Sequence, residues 1–157
     1  MRYMYAAFVF TLAATTLVWQ ADAGGSKKSD SKVKASATAT KIENGEQTVT
    51  ITLDIEKGWH LYANPVNHNN EFLEANQTTV KIAAKGKFKG QPKIKYPAGD
   101  PKVDKTEKYD VYKGIVKIEA TVQRTKGDTS PLEITIDVNA CDDKNCLAPG
   151  KIKLMVP

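Results

Sequence analysis

The sequence predicts an all-β protein, an immunoglobulin-like antiparallel β-sandwich of about seven to nine strands. Apolar and polar residues alternate with a period of two along several segments, which is typical of strands with one buried face. Turn-forming Gly, Asn, Asp and Pro residues lie between those segments, and no stretch has a convincing amphipathic helical pattern. A closed barrel is the alternative architecture.

The N-terminal part of the chain contains two long alternating segments and two short ones. Residues 33–40 and 48–55 alternate well, and the Asn-Gly pair within residues 43–45 is a hairpin signal between them. Shorter strands are predicted at residues 80–83 and 93–96. These segments supply four strands of the sandwich.

Three further strands are predicted towards the C-terminus. Residues 116–122, 132–138 and 152–156 each place apolar side chains at every second position. Gly127 and Pro131 mark the turn between the first two of them.

Two stretches do not alternate and are predicted to be long loops. Residues 63–77 are rich in asparagine, whereas residues 97–113 are rich in proline, lysine and aspartate. Loops on a rigid sandwich often carry binding residues.

The N-terminus resembles a secretory signal peptide. Residues 1–23 combine a positive charge, an apolar stretch and a small-residue triplet, so cleavage is expected after Ala23. The apolar stretch, residues 6–19, is shorter than the ~20 residues of a typical membrane span; an uncleaved anchor is the alternative. Residues 24–32 are small and polar and are predicted to be a flexible leader. Residues 33–157 then form one exported domain, and no other segment is predicted to cross a membrane.

The charge pattern argues against a nucleic-acid-binding protein. The formal net charge of +5 comes from many scattered lysines with acids between them. Nucleic-acid binding would favour arginine and aromatic side chains on one face, but Arg124 is the only arginine after residue 23. The lysines are therefore interpreted as a solvated surface with a weak attraction for acidic partners.

The cysteine pair, Cys141 and Cys146, is the strongest functional signal in the chain. Export would place both cysteines where disulfides persist. Four polar residues separate them. If the flanking strands pair as a hairpin, the facing Cβ atoms lie about 4.5–5.5 Å apart, close to the ~3.5–4.5 Å of a disulfide.

Spacing alone leaves three interpretations of Cys141 and Cys146 open. Closing so short a loop stabilises the fold by roughly 2 kcal/mol, against about 4–5 kcal/mol for a long loop, which makes a redox site as plausible as a structural bridge. A metal site would need His60 or His68 as a further ligand, and a single Cys-x4-Cys is a weak metal signal. We therefore predict no metal and no cofactor.

Two segments resemble a known family. Residues 141–149 (CDDKNCLAP) and residues 57–62 (KGWHLY) resemble the N-terminal periplasmic domain of the DsbD thiol:disulfide interchange family, with residues 112–114 as a third, weaker match. The resemblance covers residues 33–156. It implies an immunoglobulin-like sandwich whose two cysteines cycle between dithiol and disulfide.

The resemblance also implies partners and roles. Electrons would come from a thioredoxin-like protein and pass to exported disulfide-bearing proteins, including disulfide isomerases and cytochrome c maturation factors. Cys146 would form the mixed disulfide, and Cys141 would resolve it. The chain would work in the periplasm or another exported location. Because it ends at Pro157 without the family's membrane-embedded and C-terminal thioredoxin-like domains, a separate membrane electron conduit is expected.

Three further residues are implied to line the site. Tyr62 lies in the matched segment, and a cap is expected within residues 104–112, where either Tyr109 provides the shielding or the shielding is absent. His60 stands where the family has an aromatic residue; it is either a surface histidine or a group that assists proton transfer near neutral pH.

The predicted function is a thiol–disulfide exchange module that relays electrons through Cys141 and Cys146. The alternative is a non-catalytic immunoglobulin-like binding module with a structural hairpin disulfide. Whether the chain acts as a protein-disulfide reductase component is left open.

Overall fold

The computed structural model describes residues 27–104 and 107–157. The predicted signal peptide, residues 1–23 with its cleavage site after Ala23, lies outside the described residues. Within those ranges, every helix is too short or too polar to traverse a lipid bilayer.

The described residues form eleven strands, one α-helix and one 3-10 helix. In chain order the elements are a 3-10 helix at Ser29–Lys32, β1 Val33–Ala39, β2 Glu46–Ile55, β3 His60–Tyr62, α1 Glu71–Ala75, β4 Thr79–Ala84, β5 Lys93–Lys95, β6 Asp100–Asp104, β7 Glu107–Tyr112, β8 Ile115–Gln123, β9 Leu132–Val138, β10 Ala140–Cys141 and β11 Gly150–Val156.

Two antiparallel sheets face each other across one hydrophobic core. The first has the order β1-β2-β8-β5 and the second the order β11-β9-β4. Alternate side chains of the long strands are buried: Ile51 lies opposite Ile118 in the first sheet, and Ile82 opposite Ile134 in the second. The predicted immunoglobulin-like sandwich is confirmed. The strand count exceeds the predicted seven to nine because short strands were missed.

A third sheet, β10-β3-β7-β6, lies at one end of the sandwich. It corrects the prediction that residues 97–113 form a loop, because that stretch contains β6 and β7. β6 is an edge strand, where Pro101 is tolerated. In β7, Tyr109 and Val111 are buried although the composition around them is polar. Residues 105–106, between β6 and β7 in the sequence, lie outside the described residues.

The cysteines lie in an excursion between β9 and β11. These two strands pair as a hairpin, with Val138 opposite Gly150 at its neck. The chain leaves the hairpin there, and Cys141 instead pairs with β3, opposite His60. Both cysteines therefore lie beyond the neck, where a single antiparallel bridge brings Cys146 opposite Cys141.

The segment that precedes β1 is folded over residues 29–32, which the sequence suggested belong to a flexible leader. Ser29 is fully buried, and its hydroxyl donates to the carbonyl of Ala148 at 2.8 Å. The same oxygen accepts from the backbone N–H of Ala140 at 2.8 Å. Ser29 thus joins the two ends of the excursion that carries the cysteines.

A buried arginine stabilises the core away from the cysteines. Arg124 is fully buried and donates to Gln47 Oε1 at 2.6 Å and to the carbonyl of Ser130. The carboxylate of Asp128 lies 3.5 Å from the guanidinium. The hydroxyl and N–H of Ser130, followed by the Arg124 charge, hold the pKa of Asp128 below its ordinary value. This arginine is therefore structural.

Candidate functional site

Cys141 and Cys146 form a disulfide with their Cα atoms 4.0 Å apart. The two cysteines differ sharply in exposure. Cys141 is only 2% exposed, whereas Cys146 is exposed. Cys146 is therefore the cysteine that lies on the surface of the domain, while Cys141 is shielded within the fold.

The loop between the cysteines has its own hydrogen bonds. The carboxylate of Asp142 accepts from the N–H groups of Lys144 and Asn145 at 2.7 and 2.6 Å. These two bonds hold the pKa of Asp142 below its ordinary value. The N–H of Asp142 donates to the carbonyl of Asn145, and the N–H of Leu147 donates to that of Ala140. The loop conformation is thus defined by backbone contacts as well as by the disulfide.

The structure places Tyr62 directly against the disulfide. Its Oη lies 3.7 Å from Cys141 Sγ and 3.9 Å from Cys146 Sγ. Neither sulfur of a disulfide carries a proton, so the phenolic hydroxyl is the donor in these contacts. Tyr62 is buried, and its strand β3 also pairs with the strand of Cys141.

Tyr109 packs beside Tyr62. The two ring centroids are 5.7 Å apart, and Tyr109 is buried. Val66 and Leu73 join both tyrosines and Cys141 in a small hydrophobic cluster separate from the main core. The structure thus places Tyr109 in the apolar wall beneath the disulfide.

His60 is buried, not a surface histidine, with 4% of the residue exposed. Its Nε2 lies 3.2 Å from Lys102 Nζ. Burial, followed by the charges of Lys102 and Lys113, lowers the pKa of His60 from 6.5 to about 4, although Asp143 and Asp142 oppose the shift. His60 is consequently neutral near neutral pH in this disulfide form of the protein.

Lys102 connects the β6–β7 hairpin to the cysteine loop. Its Nζ lies 3.2 Å from Oδ1 of Asp143 and, on the other side, contacts His60. The Lys102 side chain is 17% exposed, whereas that of Asp143 is 93% exposed. A largely shielded ammonium therefore lies next to the strand position that faces Cys141.

Sequence reasoning missed three residues at this site. Lys102 was interpreted, like the other lysines, as part of a solvated surface, and Ser29 as part of a flexible leader. Asn139, whose Oδ1 lies 3.9 Å from Cys141 Sγ, donates from its Nδ2 to Asn76 and links the site to the end of α1. Only the proximity of Asn139 to Cys141 in the sequence could have indicated it.

A cleft of about 270 Å³ surrounds the disulfide. Its walls come from β3, β6, β7 and the cysteine loop, and it is lined by His60, Tyr62, Lys102, Val103, Tyr109, Cys141, Asp142, Asp143, Lys144, Asn145 and Cys146. In the part of the chain that the structure describes, no group of three or more His, Cys, Asp or Glu side chains is arranged to hold a metal ion. His68, the other histidine considered as a ligand, is not among the residues that line this cleft.

Solved structures with a similar fold include two kinds of N-terminal domain. The N-terminal periplasmic domain of ScsB from Proteus mirabilis superposes with a TM-score of 0.54 at 13% identity, covering 78% of this chain and 44% of that one. The chain thus spans less than half the length of that relative. The reduced N-terminal domain of DsbD from Neisseria meningitidis gives a TM-score of 0.47 at 15% identity, covering 80% and 85% of the two chains.

Comparison of sequences identifies the family. No curated protein sequence matches the chain significantly. The family described as "Thiol:disulfide interchange protein DsbD, N-terminal" matches residues 30–156, which include both cysteines and every described residue of the cleft. The chain therefore belongs to the family of DsbD N-terminal domains.

Proposed function

We propose that this chain is an exported thiol–disulfide exchange module that relays electrons through Cys141 and Cys146. The observation that carries the proposal is a disulfide between one exposed and one buried cysteine, in a domain of the DsbD N-terminal family. The donor would be a thioredoxin-like protein, and the acceptors would be exported proteins that contain disulfides. The periplasm is the proposed location, since disulfides persist there.

Reduction of the pair proceeds by two exchange steps. A thiolate of the donor attacks Cys146 Sγ, the Cys141–Cys146 bond breaks, and the electron pair of that bond leaves on Cys141 Sγ. The second donor thiol, deprotonated, then attacks the donor sulfur of the mixed disulfide and releases Cys146 as a thiolate. The donor leaves oxidised, and the domain now holds two reduced sulfurs.

Delivery to an acceptor runs the same chemistry in the opposite direction. The exposed Cys146 thiolate attacks the acceptor disulfide and forms a mixed disulfide, releasing one acceptor thiolate. Cys141 then attacks Cys146 Sγ, which re-forms the internal bond and releases the second acceptor thiolate. The burial of Cys141 suits this internal role, because external disulfides cannot reach its sulfur.

The contacts of the loop count against a purely structural disulfide. The bond closes a sequence separation of five, so the chain-entropy estimate of its contribution is only about 2 kcal/mol. Backbone hydrogen bonds and the Asp142 carboxylate already hold the same turn. A binding module would gain little from adding a disulfide here.

The reduction potential of the Cys141–Cys146 pair tests the proposal. The pair would be equilibrated with glutathione redox buffers, and the fraction oxidised would be measured by alkylation and mass spectrometry. We expect a potential in the range of thioredoxin-like proteins, between about −270 and −120 mV. A potential below about −300 mV marks a structural disulfide and would refute the proposed exchange function.

Single-cysteine variants test the two roles. Cys141→Ala leaves the exposed Cys146 able to attack a partner but unable to resolve, so it should accumulate a mixed disulfide with a thioredoxin-like protein that lacks its own resolving cysteine and whose remaining cysteine is activated as a mixed disulfide with thionitrobenzoate. Cys146→Ala leaves only the buried sulfur and should accumulate little. Equal trapping by both variants would contradict the assignment.

The proposed electron route includes a separate membrane conduit. Its thioredoxin-like domain would be the immediate donor, and the chain would gain its electrons by contact at the cleft around Cys146. Reconstitution with a candidate donor should reduce the pair only while the donor dithiol is supplied. Reduction that is unaffected by alkylating the donor would argue against this route.

A further inference from the structure

A shielded lysine beside the disulfide has no assigned role in the exchange steps. Lys102 lies on β6, at the edge of the third sheet, yet its side chain is 17% exposed. Its Nζ contacts Nε2 of His60 and Oδ1 of Asp143, both at 3.2 Å. Holding a long side chain in this way costs conformational entropy, so two specific contacts must stabilise it.

Opening the disulfide creates a negative charge on the sulfur of a buried cysteine. The electron pair leaves on Cys141 Sγ, and Cys141 is 2% exposed. Burial disfavours a thiolate, whereas a nearby positive charge favours it. A leaving thiol that ionises more readily also leaves faster. A cation near Cys141 would therefore favour the exchange chemistry.

His60 cannot supply that cation in the disulfide form. It lies directly opposite Cys141 in the β3–β10 pair, where facing side chains are typically about 4.5–5.5 Å apart at Cβ. Burial and the adjacent Lys102 hold the pKa of His60 at about 4, so the imidazole is neutral near neutral pH. Its Nε2 instead acts as an acceptor for the lysine ammonium.

The other groups of the cleft leave Lys102 as the shielded cation. The side chains that line the cleft come from β3, β6, β7 and the cysteine loop, and Lys113 directly follows β7. The ionisable groups among them are His60, Tyr62, Lys102, Tyr109, Lys113, Asp142, Asp143 and Lys144. Lys113 and Lys144 are exposed to solvent, where water and salt screen their charges. Among these described residues, Lys102 combines a positive charge with shielding from water.

We propose that Lys102 serves thiol–disulfide exchange by holding a positive charge beside Cys141, which stabilises the thiolate that leaves when a donor attacks Cys146. The proposal rests on the exchange function proposed above. His60 and Asp143 position the ammonium, and the exposed Asp143 also moderates its field. The residue acts through its charge on the leaving sulfur and makes no bond to the partner.

Substituting each partner of the Lys102–Asp143 ion pair distinguishes an electrostatic role of Lys102 from a purely structural one. Lys102→Met removes the cation and, in a Cys146→Ala background where Cys141 is the single thiol, should raise the pKa of Cys141 by about one pH unit. Asp143→Asn removes the opposing anion and should lower the same value. A lysine that merely ties β6 to the cysteine loop would give shifts of the same sign in both variants, because each breaks the tie.

Two further variants serve as controls. Lys102→Arg keeps the charge and should stay within about 0.3 pH units of the parent protein. Lys144→Met removes an exposed lysine from the cysteine loop itself and should shift the value by less than about half a unit. If Lys144→Met equals Lys102→Met, the effect is one of general charge and the proposal is overturned.

The measurement is the Cys141 thiolate absorbance against pH in the Cys146→Ala background, with the protein that carries Cys141→Ser and Cys146→Ala subtracted to remove tyrosinate absorbance. The rate of disulfide opening by dithiothreitol near neutral pH provides a second readout, and Lys102→Met should slow it about threefold to tenfold. An unchanged pH profile and rate in a folded Lys102→Met protein would refute the role of the lysine. The parent protein's reduction potential would still decide the exchange function separately.

Discussion

Removing the hydroxyl of Tyr62 should slow reductive opening of the disulfide without unfolding the protein. Tyr62 Oη lies 3.7 Å from Cys141 Sγ and 3.9 Å from Cys146 Sγ. In the disulfide these contacts are made to neutral sulfur, which is a weak acceptor. Once Cys141 leaves as a thiolate, the same hydroxyl donates to a charged acceptor. Tyr62→Phe therefore removes an interaction that strengthens as the reaction proceeds.

The size of the effect follows from the difference between these two hydrogen bonds. Hydrogen bonds to charged groups contribute about 1.5–3 kcal/mol, against about 0.5–1.5 kcal/mol for neutral ones. A gain of about 1.4 kcal/mol on ionisation corresponds to about one pH unit in a thiol pKa. The transition state carries only part of that charge, so we expect opening by dithiothreitol to slow about threefold to tenfold.

The assay is the rate of disulfide opening near neutral pH, followed by acid quenching, alkylation and mass spectrometry. Tyr96→Phe is a matched control, because the Tyr96 hydroxyl is partly buried and accepts from the N–H of Val80 at 2.8 Å, outside the cysteine cleft. It should lower stability and leave the opening rate unchanged. A rate for Tyr62→Phe within about twofold of the parent, in a folded protein, would refute the reasoning.

Three further predictions concern stability. Ser29→Ala leaves the buried N–H of Ala140 without its acceptor, so urea unfolding should show a free energy of unfolding lower by about 1–3 kcal/mol; an unchanged midpoint would mean that this contact is absent in solution. Arg124→Met leaves Gln47 Oε1 and the carbonyl of Ser130 without their donor, so the free energy of unfolding should fall by about 3 kcal/mol in the same assay. An unchanged free energy of unfolding would contradict a structural role for Arg124. The pKa of His60 is about 4 in the fold, below its ordinary 6.5; the unfolded chain therefore binds more protons between these values, and stability should fall as pH drops through that window. His60→Gln should abolish that part of the pH dependence, and an unchanged slope would contradict the assignment.

The long strands were predictable because each has one face in the core and one in water. In β2 and β8 this arrangement imposes strict alternation, which the sequence displays directly. The Asn-Gly turn before β2 was equally readable: Asn44 and Gly45 both have positive φ, at 53° and 83°, a conformation that few other residue pairs tolerate.

The third sheet was not predictable from the same signal. β3 is three residues long and buried at every position, so it has no alternation to detect. β6 lies at a sheet edge, where one flank has no neighbouring strand in the described structure, and its polar composition and Pro101 suit that position. Such strands are defined by their partners, which are distant in sequence.

The cysteine pair itself was identifiable from the sequence, because two cysteines separated by four turn-forming residues can meet without any knowledge of the fold. Residue type and spacing also indicated the family through the two matched segments. They could not indicate which cysteine is exposed, since that depends on β3 and the small hydrophobic cluster that includes Cys141.

The sequence by itself determined the fold class, the disulfide candidate and the family, since each depends on local pattern or short-range spacing. Only the tertiary structure decided the environment of the disulfide. It buried Cys141 and left Cys146 exposed, lowered the pKa of His60, and brought Lys102 within 3.2 Å of both His60 and Asp143. These properties come from desolvation and from charges on strands that are far apart in the chain, and neither is encoded in any short segment.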